Sequence, residues 1–305
     1  VVPRPFRTTG RLGPAGSLDA VTSSPFLDLV ADRVVVYDGA TGTWLQTQDL
    51  SLDDYGGEAM EGCTDILGVT RPDVIAALHS AYFEVGADVV ETNTFGAFGV
   101  PLGEYDIAER SHEIALANAR IAREVADGFS TPDRKRYVAG SLGPGTKSPS
   151  LSQIRFAELR DHYQVAAEGL LEGGVDLFIL ETHFDLLAVK ASIIGVRRAM
   201  AKIGRQVPIQ CQVTMELTGR MLVGTEISAA LAAIDPMGVD IVGLNCATGP
   251  TEMSEHIRHL SQHSRVPISV LPNAGLPSVV DGKMHYDLTP EQMETHQRRF
   301  VEELG

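Results

Sequence analysis

Residues 243–250 read GLNCATGP, and Cys246 stands where the apolar run 239–244 gives way to a turn containing Pro250. A thiol at such a junction has three uses. It can fill space as a small buried residue, the commonest fate of cysteine. It can act as a covalent nucleophile, which needs a histidine nearby as base. His183, just past the apolar run 176–181, is the histidine at a matching position. It can bind a metal, which needs two or three further soft ligands. Cys211 lies inside an apolar run and Cys63 in a loop, so neither is well placed, and the residues alone leave the three uses open.

Carboxylates occupy the same kind of junction. Glu91 and Glu181 each close an apolar run, where burying a charge is costly without a partner. They suit binding of an ammonium group, acid–base work, or a structural role as acceptors for neighbouring loops. The stretch Asp38-Gly39-Ala40-Thr41-Gly42-Thr43 can turn backbone N–H groups toward a phosphate or carboxylate; it reads equally as a tight turn that needs glycine. No GxGxxG or GxxxxGK[ST] accompanies it, which disfavours a nucleotide site. Asn93, Asn245 and Asn273 complete the polar set at the run ends. His256, His259 and His263 share one helix face, which reads as a solvated surface.

These residues need a scaffold that gathers run ends. Strand-like runs at 33–38, 88–92, 137–142, 176–181, 208–214, 240–246 and 267–273 alternate with helix-period stretches near 72–86, 106–127, 155–172, 185–202, 226–235, 251–263 and 290–303. Apolar runs without alternation indicate strands covered on both faces, as in parallel sheets with crossover helices. Three units echo one another, beginning Gly86-Ala87-Asp88, Gly174-Val175-Asp176 and Gly238-Val239-Asp240. In each, a glycine ends a helix, an aspartate enters a strand, and polar residues emerge at the far end. This favours a (β/α) barrel, with a doubly wound sheet as the alternative; both keep their chemistry at the C-terminal strand ends.

Composition narrows the function classes. The chain has 305 residues, 44% hydrophobic, with a net charge of −15 that disfavours nucleic acid and anionic membrane surfaces as partners. No run approaches the roughly 20 apolar residues of a membrane span. Three scattered cysteines without a CxxC pair fit a reducing, cytoplasmic setting. Residues 1–32, rich in Pro and Gly at their start, read as a flexible N-terminal lead, with the barrel domain over 33–305. The sequence stops in helix-like text, so the domain is expected to be C-terminally incomplete, lacking its last strand–helix unit.

Taken together, DGATGT (38–43), DYGGE (54–58), ETNTFG (91–96), GSLGPGT (140–146), ETHFD (181–185), GLNCATGP (243–250) and PNAGLP (272–277) resemble, in order and spacing, the homocysteine-binding module of the cobalamin-dependent methionine synthase family. The resemblance implies a (β/α)8 TIM-type barrel carrying zinc on three cysteine thiolates. Cys246 matches the first ligand; the other two, an adjacent pair in the family, are expected beyond Gly305. By the same resemblance Asp38, Gly39 and Ala40 hold the amino acid's backbone, Glu181 takes its ammonium group, and Asn273 lies near the metal. Thr41, Glu91, Asn93 and Asn245 are further substrate-binding candidates at the mouth. Cys246 is then a ligand and never a covalent intermediate. The implied reaction is attack of the homocysteine thiolate on the methyl group of methylcobalamin, giving methionine. The cobalamin would be held by another module of a longer polypeptide, which also carries a folate-binding module. Relatives that use betaine or S-methylmethionine are the nearer alternative. The farther ones are a metal-free aldolase- or lyase-type barrel using Glu91 and Glu181, and a binding module without catalysis.

The charge balance carries its own test. Titration with duplex DNA or RNA should show no association that weakens steeply with added salt, and tight salt-sensitive binding would contradict the reading.

Overall fold

The computed structural model describes residues 24–280 and 283–304. Six strands form one parallel sheet in chain order: β1 (Val89–Glu91), β2 (Tyr137–Leu142), β3 (Leu177–His183), β4 (Ile209–Val213), β5 (Ile241–Asn245) and β6 (Ile268–Leu271). Helices α1 (Pro25–Asp32) and α2 (Pro72–Glu84) precede the sheet. The crossovers between successive strands contain α3 (Ser111–Phe129), α4 (Phe156–Gly173), α5 (Leu186–Ile203), α6 (Ile227–Ile234) and α7 (Pro250–His263). The chain then makes an antiparallel hairpin, β7 (Pro277–Val280) with β8 (Lys283–Tyr286), and ends in α8 (Pro290–Leu304). The hairpin has no counterpart in the strand-like runs of the sequence.

The run 33–38 does not become a full strand. It reaches the sheet through a single bridge, Tyr37 opposite Val89, flanked on one side by the Val36 N–H donating to the Asp88 carboxylate and on the other by the Glu91 N–H donating to the Asp38 carboxylate. The Val36 bond belongs to a repeated device. The Asp176 carboxylate accepts the Val138 N–H at 2.9 Å, and the Asp240 carboxylate accepts the Ile209 N–H at 2.9 Å. In each echoed unit the glycine has a left-handed backbone (φ 108°, 95° and 70° at Gly86, Gly174 and Gly238) and the aspartate then locks its strand's start to the neighbouring strand.

The sheet curls. The Tyr37 hydroxyl donates to Gln210 Oε1 at 2.7 Å, although Tyr37 lies beyond β1 and Gln210 is on β4. In a flat sheet four strand spacings of about 4.8 Å would separate them by about 19 Å, too far for these side chains. The hollow face is lined at every second position: Val89 and Glu91, then Tyr137, Ala139 and Ser141, then Leu177, Ile179 and Glu181, then Ile241 and Asn245. Of the stretch read as a flexible lead, residues 1–23 lie outside the described residues, while 25–32 form α1. Its Phe26 and Val30 pack with Val89, Tyr137, Leu177 and Ile241, closing the N-terminal end of the hollow. At Gly243 an added Cβ would strike the Ser269 carbonyl oxygen, so only glycine lets β5 and β6 pair there. What the structure supports is a curled, parallel six-stranded half of a barrel.

Asp88 gives this scaffold a measurable acid sensitivity. Burial would raise its carboxyl, but a bidentate pair with Arg33 (2.7 and 2.8 Å), the Val36 N–H and Arg134 outweigh that and hold it down at about 2. A folded-state value below the unfolded one, about 3.9, means the stabilisation is complete above pH ~4 and is lost as pH falls toward 2. Asp88→Asn should cost about 1–3 kcal/mol near neutrality and remove that part of the acid dependence. Urea midpoints of both proteins between pH 6 and pH 2 provide the check, and parallel curves would refute it.

Candidate active site

The C-terminal strand ends form a polar mouth. The Asp38 carboxylate accepts the Glu91 N–H at 2.9 Å, tying the 38–43 turn to β1. The Tyr82 hydroxyl donates to Ala40 O at 3.1 Å, and a Cβ on Gly39 would stand 3.0 Å from the same hydroxyl oxygen. A larger residue at 39 would make the Tyr82 ring give by a few tenths of an ångström. Gly39 and Ala40 remain exposed, and Asp38 and Thr41 are half-buried.

Asp38, Glu91 and Glu181 meet inside this mouth. Burial raises all three carboxyls, and the negative charge of Glu181 raises Glu91 and Asp38 further. Among the described residues none of the three has an ion pair with Lys, Arg or His. Glu181, 7% exposed, is the best supplied: it accepts the Ser141 hydroxyl at 2.5 Å and the Asn245 amide at 2.8 Å. Glu91 Oε1 is buried without a hydrogen bond. Burial and the negative charge of Glu181 push Glu91 well toward its neutral form, further than burial pushes Glu181. A buried carboxylate cluster short of one positive charge is chemistry suited to an ammonium group.

Cys246 adjoins the cluster. Its N–H donates to Leu271 O at 3.1 Å, and its sulfur accepts from the Asn245 amide at 3.4 Å. Burial and the neighbouring Glu181 charge push the thiol up to about 11. Cys246 and Ala247 are consecutively left-handed (φ 55° and 59°), and so is Thr182 (φ 57°). For a β-branched residue that conformation is a strained outlier. It coincides with a bulge: Leu180 pairs with Cys211 but His183 with Val213, so β3 carries one extra residue.

Not every residue named from the sequence converges here. Asn93 donates to Thr64 O at 2.8 Å and anchors a loop. Asn273 is half-buried, and its N–H donates to Thr248 O at 3.2 Å, bracing the turn after Cys246. His183, read as a mouth histidine, is not at the mouth. Fully buried behind the sheet, it faces Ser192 on α5 at 3.3 Å and Tyr163 on α4, and burial depresses its imidazole to about 3. Cys63 and Cys211 are buried in the outer apolar core. Among the described residues no group of three or more His, Cys, Asp or Glu could hold a metal. Cys246 thus supplies one corner of a thiolate zinc site and nothing described here completes it. Sequence reasoning did not single out Ser141 or Gln210; the inward two-residue period through 137, 139 and 141 was the signal that could have found Ser141.

A family model described as homocysteine S-methyltransferase matches residues 35–304. Methionine synthase of Mycobacterium tuberculosis is 53% identical over 279 residues, 92% of this chain and 23% of that protein. Methionine synthase of Mycobacterium leprae is 52% identical over the same shares. The chain therefore spans about a quarter of the length of these curated relatives. The metallated form of the homocysteine methyltransferase MmuM of Escherichia coli matches with a TM-score of 0.68 at 20% identity, covering 83% of this chain and 88% of that one. That likeness is one of fold.

The Ser141–Glu181 bond can be tested on its own. Ser141→Ala should lower stability by about 1–2 kcal/mol, since a buried carboxylate loses a donor and nothing replaces it. An unchanged urea midpoint would show that Glu181 is supplied from elsewhere.

Proposed function

Because the chain belongs to the homocysteine S-methyltransferase family, we propose that its mouth binds homocysteine and prepares the thiol for methylation to methionine. The observation that carries this reading is the convergence of Asp38, Glu91 and Glu181, without a cation, beside the half-buried thiol of Cys246. The ammonium group sits against Glu181, with Glu91 behind it. The carboxylate group meets the exposed backbone at Gly39, Ala40 and Thr41, which leaves the substrate sulfur directed toward Cys246. Asn93 and Asn273 support the loops that frame this space.

Zinc is the group the family resemblance calls for, with Cys246 as one of three thiolate ligands. When bound, it would hold the substrate sulfur as a thiolate at neutral pH, where a free thiol with a value near ~8.5 is mostly protonated. The protein's own part is orientation: an anchored amino acid end keeps a short, flexible substrate aligned for attack on a methyl group. The donor in this proposal is methylcobalamin carried by another module of a longer polypeptide with a folate-binding module, and betaine or S-methylmethionine is the alternative. The curled sheet would be the larger part of a (β/α)8 barrel. No helix among the described residues is long and apolar enough to cross a membrane, and a cytoplasmic setting is part of the proposal.

The raised Glu91 carboxyl beside ionised Glu181 also suits a metal-free acid–base barrel enzyme. Titration calorimetry with homocysteine on the zinc-loaded module separates the readings. Glu181→Gln should weaken binding by about 30-fold or more, the effect of about 2 kcal/mol, because it removes the charge that meets the ammonium group. Glu91→Gln should weaken it less, since burial and the Glu181 charge already favour the neutral form of Glu91. Unchanged affinity in Glu181→Gln, or no homocysteine binding at all, would overturn the assignment.

A further inference from the structure

Asn245 is 1% exposed and uses its whole amide on the protein. Its Oδ1 accepts the Thr182 N–H at 2.7 Å. Its Nδ2 donates toward Glu181 Oε2 at 2.8 Å, Thr182 Oγ1 at 2.8 Å and Cys246 Sγ at 3.4 Å. The orientation admits no flip. Reversing the amide would set an oxygen against the Glu181 carboxylate and an NH2 against the Thr182 N–H, losing both bonds. No hydrogen remains for a ligand: the two on Nδ2 already face three acceptors.

The partners show what the amide does. Glu181 and Thr182 together oppose the single residue Gln212 in the β3 bulge, and Thr182 holds a left-handed backbone that a β-branched side chain resists. An exposed threonine would relax to an extended conformation and swing the Glu181 carboxylate out of the hollow. Asn245 is the group that prevents this, reaching from the end of β5 to both backbone and side chain of Thr182. Its own neighbour Cys246 is left-handed as well. One side chain therefore joins two strained strand ends, one bearing the charged carboxylate and the other the thiol.

We propose that Asn245 is a positioning residue that sets the placement of Glu181 relative to Cys246 through the Thr182 backbone, without itself touching the substrate. This rests on the homocysteine reading above for its ligand but not for its mechanics. An amino acid whose ammonium group binds Glu181 and whose sulfur lies at Cys246 is measured against a distance that Asn245 maintains, so the amide also bears on side-chain length.

The test uses Asn245→Ala, Thr182→Gly and the double variant. Glycine adopts the left-handed conformation without cost, so it supplies the geometry that Asn245 otherwise enforces. Asn245→Ala should weaken homocysteine binding by at least about tenfold. Adding Thr182→Gly should recover at least about threefold of that loss, a rescue that a direct contact between Asn245 and substrate does not permit. In parallel, the drop in urea midpoint caused by Asn245→Ala should be at most half as large in the Thr182→Gly background. If wild-type protein binds no homocysteine, the functional reading fails while the urea cycle still decides the mechanics. Additive midpoint losses, or affinity that stays low in the double variant of a homocysteine-binding protein, would overturn the positioning role.

Discussion

Three carboxylates gathered at one mouth, with no Lys, Arg or His paired to them among the described residues, are the constraint on which the rest of this protein depends. Asp38, Glu91 and Glu181 arrive from different segments, and each is raised by burial. Such a cluster is tolerable only if part of its charge is neutralised and the remainder is hydrogen-bonded. Burial and the Glu181 charge favour the neutral form of Glu91, and the Ser141 hydroxyl and Asn245 amide hydrogen-bond Glu181. What is missing is a positive charge, which an ammonium group brings.

Holding this arrangement requires a scaffold that does not relax around it. The curl of the sheet gathers distant strand ends, and Tyr37 bonded to Gln210 records how far it has closed. At the opposite end α1 covers the hollow with Phe26 and Val30, so the polar mouth stands above an apolar floor. The aspartates entering β1, β3 and β5 tie strand starts to their neighbours, fixing register at one end so that the other end can carry irregular backbone.

The irregularity is concentrated. Thr182, Cys246 and Ala247 are all left-handed, and a single amide bonds to Thr182 and to the Cys246 sulfur. Strain of this kind costs of order 1–3 kcal/mol per residue and persists only where surrounding contacts over-determine it. Here the contacts are those of Asn245, and the strained residues flank the groups that meet the ligand. The strain has a use: relaxed strand ends would turn Glu181 and Cys246 away from one another.

Much of this was legible in the residues. Unalternating apolar runs determine a parallel sheet with covered faces, because strands buried on both sides have no polar face to show. The repeated glycine and aspartate at strand starts, and the polar residues at strand ends, follow from the same one-dimensional order. The ordered motifs from DGATGT to PNAGLP were enough to point to the family before any coordinate. Tertiary structure decided the sides and the distances. Strict alternation from Glu181 would turn His183 into the hollow, where it would read as a base. The extra residue at the bulge turns it outward against Ser192 and Tyr163, because side chains alternate faces and one inserted residue reverses every position after it. Likewise 33–38 has the composition of a strand but makes one bridge, with side-chain carboxylates, Asp88 on one side and Asp38 on the other, taking the N–H groups that flank it. Sequence carries local preference, whereas which donor meets which acceptor across the hollow is settled only when the sheet curls.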